Sequence, residues 1–222
     1  MDDSCVVSIL NDFFAQLEEE EVYLGEYSED NCAERESSDR SSYKWYSAAG
    51  VSKCAIIPEE GEYVIKFDLD VYDGECELSS SYAADEADIS IRVKASGLSD
   101  VFAETKYWGT LYGKNIYLQK KVVFDYDKKS EASKVSGKFV DEVIDTSEKL
   151  SKKYHQADMA DALGAALYNY YGEEKFEKIL NFLRENHIND LHNGNWGYIE
   201  DRPVIFDYSG FGEDDSYSDY GE

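Results

Sequence analysis

The sequence has little proline and no long apolar run. Only two prolines occur in 222 residues, so no proline-rich linker divides the chain, whose length suits one domain or two small lobes. The longest apolar runs are far too short to span a membrane. A signal peptide has a basic segment before its apolar residues, and this sequence begins without one. The sequence therefore predicts a folded cytoplasmic protein that does not bind membranes.

Basic residues are also scarce. The chain has 22 lysines and arginines against 48 aspartates and glutamates, and its formal net charge is −26. Such a surface repels the phosphates of nucleic acids and of anionic membranes, so direct binding to DNA or RNA is not expected. Two interpretations of the charge stay open: a strongly solvated surface, or a surface that attracts basic proteins, including nucleic-acid-binding ones.

Cysteine is sparse, and its spacing follows no metal-binding pattern. The four residues, Cys5, Cys32, Cys54 and Cys76, form no Cys-x-x-Cys pair and have no histidine near them in the sequence. This spacing is typical neither of a zinc site nor of a disulfide framework. We therefore expect reduced thiols, as in a cytosolic protein.

The first periodic segment predicts a helix over residues 4–20. Apolar residues recur there at spacings of three and four and fall on one face, namely Ile9, Leu10, Phe13, Phe14 and Leu17. Ser4 is the expected N-cap. The polar face is acidic rather than basic, which favours packing on the body of the protein over binding to a membrane surface. An acidic loop over 18–42 follows.

The rest of the chain predicts a sheet and then a helical region. We expect one helix over 83–96, ending at Gly97, and five strands over 43–49, 51–57, 63–69, 101–111 and 115–123. Beyond these, helices are expected within 127–154, over 159–171 and over 173–186, before a short hairpin that ends at Asp207 and an acidic tail. The pattern predicts an α+β fold with an antiparallel sheet and one inserted helix.

Three polar residues near the C-terminus have a spacing that suits phosphoryl transfer. Asn195 follows Asp190 by five residues, and Asp207 lies twelve residues further along. In a tight loop after a helix, Asp190 is placed to accept a proton from a hydroxyl nucleophile. The side chains of Asn195 and Asp207 are placed to bind Mg²⁺, which neutralises charge on the transferred phosphate.

This set resembles the protein-kinase-like superfamily. The segment Asp-Leu-His-Asn-Gly-Asn over 190–195 is similar to the catalytic loop, and Asp-Tyr-Ser-Gly over 207–210 is similar to the metal-binding Asp-x-Gly with one extra residue. The loop looks closer to aminoglycoside phosphotransferases and small kinase-like proteins of bacteriophages than to eukaryotic kinases. The resemblance implies ATP and Mg²⁺ as cofactors, Asp190 as the catalytic base, and Asn195 and Asp207 as metal-binding and cofactor-binding residues.

The resemblance also implies phosphate-binding residues upstream. Lys66, in Val-Ile-Lys, is similar to the strand-three lysine that binds nucleotide phosphates, and it is the second catalytic candidate. We expect Glu86 to pair with it, with Glu77 as the alternative, although the helix dipole alone also favours a glutamate at a helix start. The phosphate-covering loop falls at 48–52, where Gly50 is the only glycine. The nucleotide-binding hinge falls near 119–124.

Two features depart from the kinase pattern. Ile188 stands two residues before Asp190, where kinases usually carry histidine. Only residues 208–222 follow Asp207, which leaves no room for the activation segment and peptide-docking helices of eukaryotic kinases. We therefore expect weak or absent activity on generic peptides.

The resemblance implies a minimal two-lobed fold that is truncated after Asp207. A sheet-rich lobe with an N-terminal helix is expected over 1–122, a helical lobe over 123–222, and a nucleotide cleft between them. Two functions stay open. One is the transfer of phosphate from Mg-ATP to a protein or small molecule. The other is a non-catalytic module whose acidic surface inhibits a basic, nucleic-acid-binding host or defence protein. Either would act in the cytoplasm, that of the host if a phage encodes the protein, and the sequence does not indicate an oligomeric state.

Overall fold

The computed structural model describes residues 2–20, 32, 34–50, 52–73, 76–79, 82–123, 161–188, 191 and 194–209. The chain divides into two compact units. The first comprises Met1–Ser90 and Glu104–Lys121, and the second comprises Ile91–Ala103 and Val122–Glu222. The described residues form a five-stranded antiparallel sheet, two small antiparallel hairpins and several helices. The fold class is therefore α+β, as the sequence predicts.

The elements follow the predicted order. They are α1 (Asp3–Glu19), β1 (Trp45–Ala49), β2 (Lys53–Pro58), β3 (Tyr63–Asp68), β4 (Asp70–Asp73), β5 (Cys76–Ser79), α2 (Tyr82–Ser96), β6 (Thr105–Leu111), β7 (Lys114–Lys120), α3 (Asp161–Tyr171), α4 (Glu173–Glu185), β8 (Trp196–Ile199) and β9 (Arg202–Ile205). The β4–β5 hairpin was not predicted. The helices expected within 127–154, most of the acidic loop and the tail lie outside the described residues.

Helix α1 covers one face of the large sheet. The strand order is β1-β2-β3-β7-β6, with every neighbour antiparallel. Alternate side chains such as Ile56, Ile65 and Leu118 share a buried cluster with α1. The helix contributes Val6, Ile9, Leu10, Phe13, Phe14 and Leu17 to it. Burial of each such side chain stabilises the fold by about 1.5–3 kcal/mol. The prediction that this helix packs on the body of the protein is confirmed.

The N-cap of α1 is Asp2, and the prediction of Ser4 was wrong. The Asp2 carboxylate accepts a hydrogen bond from the Cys5 backbone N–H at 2.9 Å, which satisfies one of the free donors of the first turn. Ser4 lies inside that turn and donates its hydroxyl to Asp2 at 2.6 Å. Because these hydrogen bonds stabilise the ionised form, they lower the pKa of Asp2.

Helix α2 lies against the opposite face of the same sheet. Ala83 and Ala87 form a buried cluster with Tyr117 of β7, and their small side chains allow the helix to approach the strands closely. The carboxylate of Asp68, at the end of β3, accepts a hydrogen bond from the Ala83 N–H at 2.7 Å and fixes the start of the helix. The helix ends before Gly97, whose φ of 72° is typical of a helix C-terminus. This end was predicted correctly.

The second unit contains a short hairpin that residues 101–103 extend. The Ile205 N–H donates to the Val101 carbonyl at 2.9 Å, and the Ala103 N–H donates to the Ile205 carbonyl at 2.8 Å. These backbone groups therefore serve β9, and β6 begins only at Thr105. The predicted strand over 101–111 started four residues too early for this reason.

Aromatic packing joins these residues to helix α4. The Phe102 ring lies 5.4 Å from the rings of both Phe182 and Tyr208, and α4 buries Phe176, Ile179, Leu180, Phe182 and Leu183.

In the part of the chain that the structure describes, no helix is both long enough and apolar enough to cross a membrane.

Candidate functional site

Lys66 lies on the face of the sheet that α2 covers. In β3 the side chains of Ile65 and Phe67 enter the α1 cluster, and strand alternation sends the lysine between them to the other side. Only 6% of Lys66 is exposed to solvent. A buried ammonium needs an anionic partner, because an unpaired charge in the protein interior carries a large desolvation cost.

Glu86 of α2 is that partner. The distance from Lys66 Nζ to Glu86 Oε2 is 3.0 Å, so the predicted pairing is confirmed and the alternative partner Glu77 is not needed. Glu86 is fully buried. Its place on the helix follows from spacing, since it lies three residues after Ala83 and next to Ala87 on the packed face. An exposed glutamate that only complements the helix dipole is therefore the wrong description of this residue.

Among the described residues, three more join the pair, and local sequence patterns did not indicate them. Lys53 Nζ lies 2.6 Å from Glu86 Oε1. The Gln119 amide donates to Glu86 Oε2 at 3.2 Å and to the Thr105 hydroxyl at 2.8 Å. Strand pairing accounts for the group, because β3 pairs with both β2 and β7, and Thr105 of β6 lies opposite Gln119 of β7. Only the pairing register of the strands identifies these residues, and the apolar alternation within one strand does not contain that information.

Gly50 lies in the loop between β1 and β2, in the same unit as Lys66. Its backbone N–H donates to the Lys53 carbonyl at 2.9 Å, which closes the hairpin. A Cβ atom at this position would meet no atom within 4 Å. The fold therefore does not require glycine at this position.

Asn195 and Asp207 lie at the two ends of the β8–β9 hairpin in the second unit. The Asn195 carbonyl accepts hydrogen bonds from the backbone N–H groups of Phe206 at 3.0 Å and Asp207 at 3.3 Å. The hairpin pairing from Trp196 to Ile205 brings these ends together. Asn195 is buried and Asp207 is partly buried. The structure thus brings the backbones of the two predicted metal ligands together at the open end of the hairpin.

The predicted catalytic base, Asp190, lies outside the described residues, as do His192 and Gly210. The residues around it that are described belong to the core: Ile188 is 1% exposed and Leu191 is 2% exposed. Ile188, which departs from the kinase pattern, therefore has a packing role.

The donor chemistry of Asn195 and Asp207 suits Mg²⁺. An amide oxygen and a carboxylate are hard oxygen ligands, and Mg²⁺ commonly takes one or two protein ligands and completes its shell with water and phosphate oxygens. Among the described residues, no group of three or more His, Cys, Asp or Glu side chains is close enough to hold a metal ion.

No protein-family model matches the sequence, and comparisons with curated proteins and with solved structures found no match either.

Proposed function

We propose that this protein is a minimal two-lobed kinase-like phosphotransferase that binds Mg-ATP. The observation that carries the proposal is the buried ion pair between Lys66 on the third strand and Glu86 on the helix after it. In protein kinases a lysine on strand three and a glutamate on the next helix form such a pair, which positions the lysine on the nucleotide phosphates.

The energetics of the pair favour a functional role over a purely structural one. Two charges that leave water lose several kcal/mol of hydration each, about as much as their attraction returns, so well-packed apolar residues stabilise a core as well or better. A group that binds an anion, in contrast, must keep a charged amine in a fixed position before the ligand arrives. Lys66 meets this requirement, since one carboxylate oxygen of a fully buried residue holds its amine.

The remaining roles follow the chemistry of the transfer. In the proposal Asp190 accepts the proton of the attacking hydroxyl while the hydroxyl oxygen bonds to the γ-phosphorus. The bond between the γ-phosphorus and the oxygen that bridges it to the β-phosphate breaks, and ADP leaves. Asn195 and Asp207 would hold Mg²⁺, which neutralises charge on the phosphates when bound. Gly50 would allow the β1–β2 loop to approach the phosphates, and Lys66 would bind them.

The charge of the chain favours a second candidate function. A net charge of −26 suits a non-catalytic module that blocks a basic nucleic-acid-binding protein. Such a module would act in the cytoplasm, which is that of the host if a phage carries the gene. Such binding would weaken steeply as salt rises, because exposed charges interact over a Debye length of roughly 8 Å at physiological ionic strength. Pull-downs from cell extract at low and high salt test it, and a partner that stays bound at high salt would contradict it.

Calorimetric titration with ATP tests the primary proposal. The full chain is titrated with Mg²⁺ present and again in excess EDTA, and Asp207→Ala is compared with Asp201→Ala, which removes the same charge from the exposed turn of the same hairpin. We expect the wild type and Asp201→Ala to bind ATP more tightly with Mg²⁺, and Asp207→Ala to lose this dependence. Tight binding in EDTA that Asp207→Ala leaves unchanged would contradict the assignment.

A further inference from the structure

A second lysine holds the same carboxylate as Lys66. Lys53 Nζ lies 2.6 Å from Glu86 Oε1, whereas Lys66 Nζ lies 3.0 Å from Oε2. Lys53 is the first residue of β2, and its side chain is 11% exposed. The two lysines therefore approach one glutamate from neighbouring strands, and Lys53 is the one beside the loop that contains Gly50.

That loop is short and has few backbone donors. Ala49 pairs with Cys54 across the hairpin, and the Gly50 N–H is already bonded to the Lys53 carbonyl at 2.9 Å. Only residues 51 and 52 separate these bonded positions. Loops that bind phosphate through the backbone need several N–H groups that point at the anion. A loop of this length, with one glycine, supplies fewer of them than such sites use.

We propose that Lys53 is a second phosphate-binding lysine, and that Lys53 and Lys66 together select nucleoside di- and triphosphates. The inference rests on the proposed function and deepens it, since it supplies from a side chain the positive charge that the short loop does not supply from its backbone. An ammonium has three N–H donors. Contact with Glu86 holds the Lys53 amine beside the loop that contains Gly50, and a compact ammonium suits contact with a phosphate oxygen.

The test is calorimetry of the full chain with ATP, ADP and AMP in the presence of Mg²⁺. Lys53→Met and Lys66→Met are compared with Lys106→Met, which removes a lysine on β6 of the same sheet that lies over the Tyr63 ring at 4.7 Å. We expect Lys53→Met to weaken ATP and ADP binding by about tenfold or more, as for a lost hydrogen bond to a charged group. AMP binding should change by less than about twofold on the same reasoning, and Lys106→Met should bind all three nucleotides like the wild type.

The outcomes separate this inference from the function on which it rests. If Lys53→Met binds ATP like the wild type while Lys66→Met does not, the inference is overturned and the proposed function stands. If the wild type binds no Mg-ATP, both are overturned.

A structural effect is separated with Lys53→Arg, which keeps the charge, and with the melting temperature of each variant. If Lys53→Met does not fold, ATP binding by Lys53→Arg within about threefold of the wild type supports the inference. An equal loss for ATP, ADP and AMP in Lys53→Arg would show that Lys53 only supports the fold, and would overturn it.

Discussion

The strongest stability effect should come from Glu86→Ala. The carboxylate accepts hydrogen bonds from Lys53, Lys66 and Gln119, and it is fully buried. Each hydrogen bond to a charged group contributes about 1.5–3 kcal/mol, and the desolvation of the glutamate that the substitution relieves offsets part of the sum. Removal of the Glu86 carboxylate takes this anionic partner from Lys53 and Lys66, whose side chains are only 11% and 7% exposed. Loss of one partner from a buried pair costs about 3–5 kcal/mol, and we expect a loss of this size.

Urea denaturation followed by tryptophan fluorescence measures this loss. With a denaturant slope near 2 kcal/mol per molar, the midpoint should fall by about 2 M. Trp45 and Trp108 lie in the same unit as Glu86 and report on it. The control is Glu62→Ala, because Glu62 pairs with Lys120 at 2.7 Å but its side chain is 72% exposed, so screening by solvent should leave the midpoint unchanged. A loss below about 1 kcal/mol for Glu86→Ala would refute the reasoning, since the carboxylate would then be solvated rather than buried.

Three other predictions concern backbone space, thiol reactivity and pH. Gly197→Ala should destabilise the second unit by about 1–3 kcal/mol, because a Cβ there would lie 2.6 Å from a backbone carbonyl oxygen. Gly50→Ala, with no atom in reach, should unfold like the wild type; equal urea midpoints for the two variants would contradict this. Burial raises the pKa of the Cys54 thiol well above its usual range, so iodoacetamide should modify the partly exposed Cys5 first in the native protein. Mass spectrometry measures the order, and modification of Cys54 before Cys5 would contradict this expectation. The pKa of Asp2 is lowered in the folded state by a serine hydroxyl and backbone N–H groups. Its contribution to α1 should therefore be complete above the ordinary aspartate value of about 3.9 and decline as the pH falls below it. Amide exchange at Cys5 measures this, and exchange with the same pH dependence in Asp2→Ala would count against it.

Local pattern predicted most of the described elements. The spacing of Phe13, Phe14 and Leu17 identified α1, and Gly97 identified the end of α2, because both signals lie within a few neighbouring residues. The β4–β5 hairpin was missed because residues 70–79 are rich in acidic residues and lack a regular apolar alternation. The N-terminal limit of β6 was missed because Val101 and Ala103 are apolar and continue the strand pattern, while their hydrogen bonds go to a residue about a hundred positions away.

The candidate site was predictable only as far as motifs extend. The pairing of Lys66 with Glu86 followed from the resemblance to kinases, which specifies a strand lysine and a helix glutamate. Lys53 and Gln119 were not predictable, because their approach to Glu86 depends on the pairing register of β2, β3 and β7. The adjacency of Asn195 and Asp207 followed from the hairpin between them, whose short strands were recognisable in the sequence.

Affinity labelling with an acyl-phosphate derivative of ATP tests the central claim most directly. Such a reagent transfers its acyl group to a lysine amine that lies beside the bound phosphates, and mass spectrometry identifies that lysine. The proposed function predicts labelling of Lys66, with Mg²⁺ present, that excess ATP prevents and that exposed lysines such as Lys106 do not share. Labelling spread over exposed lysines and unaffected by ATP, with Lys66 unmodified, would contradict it.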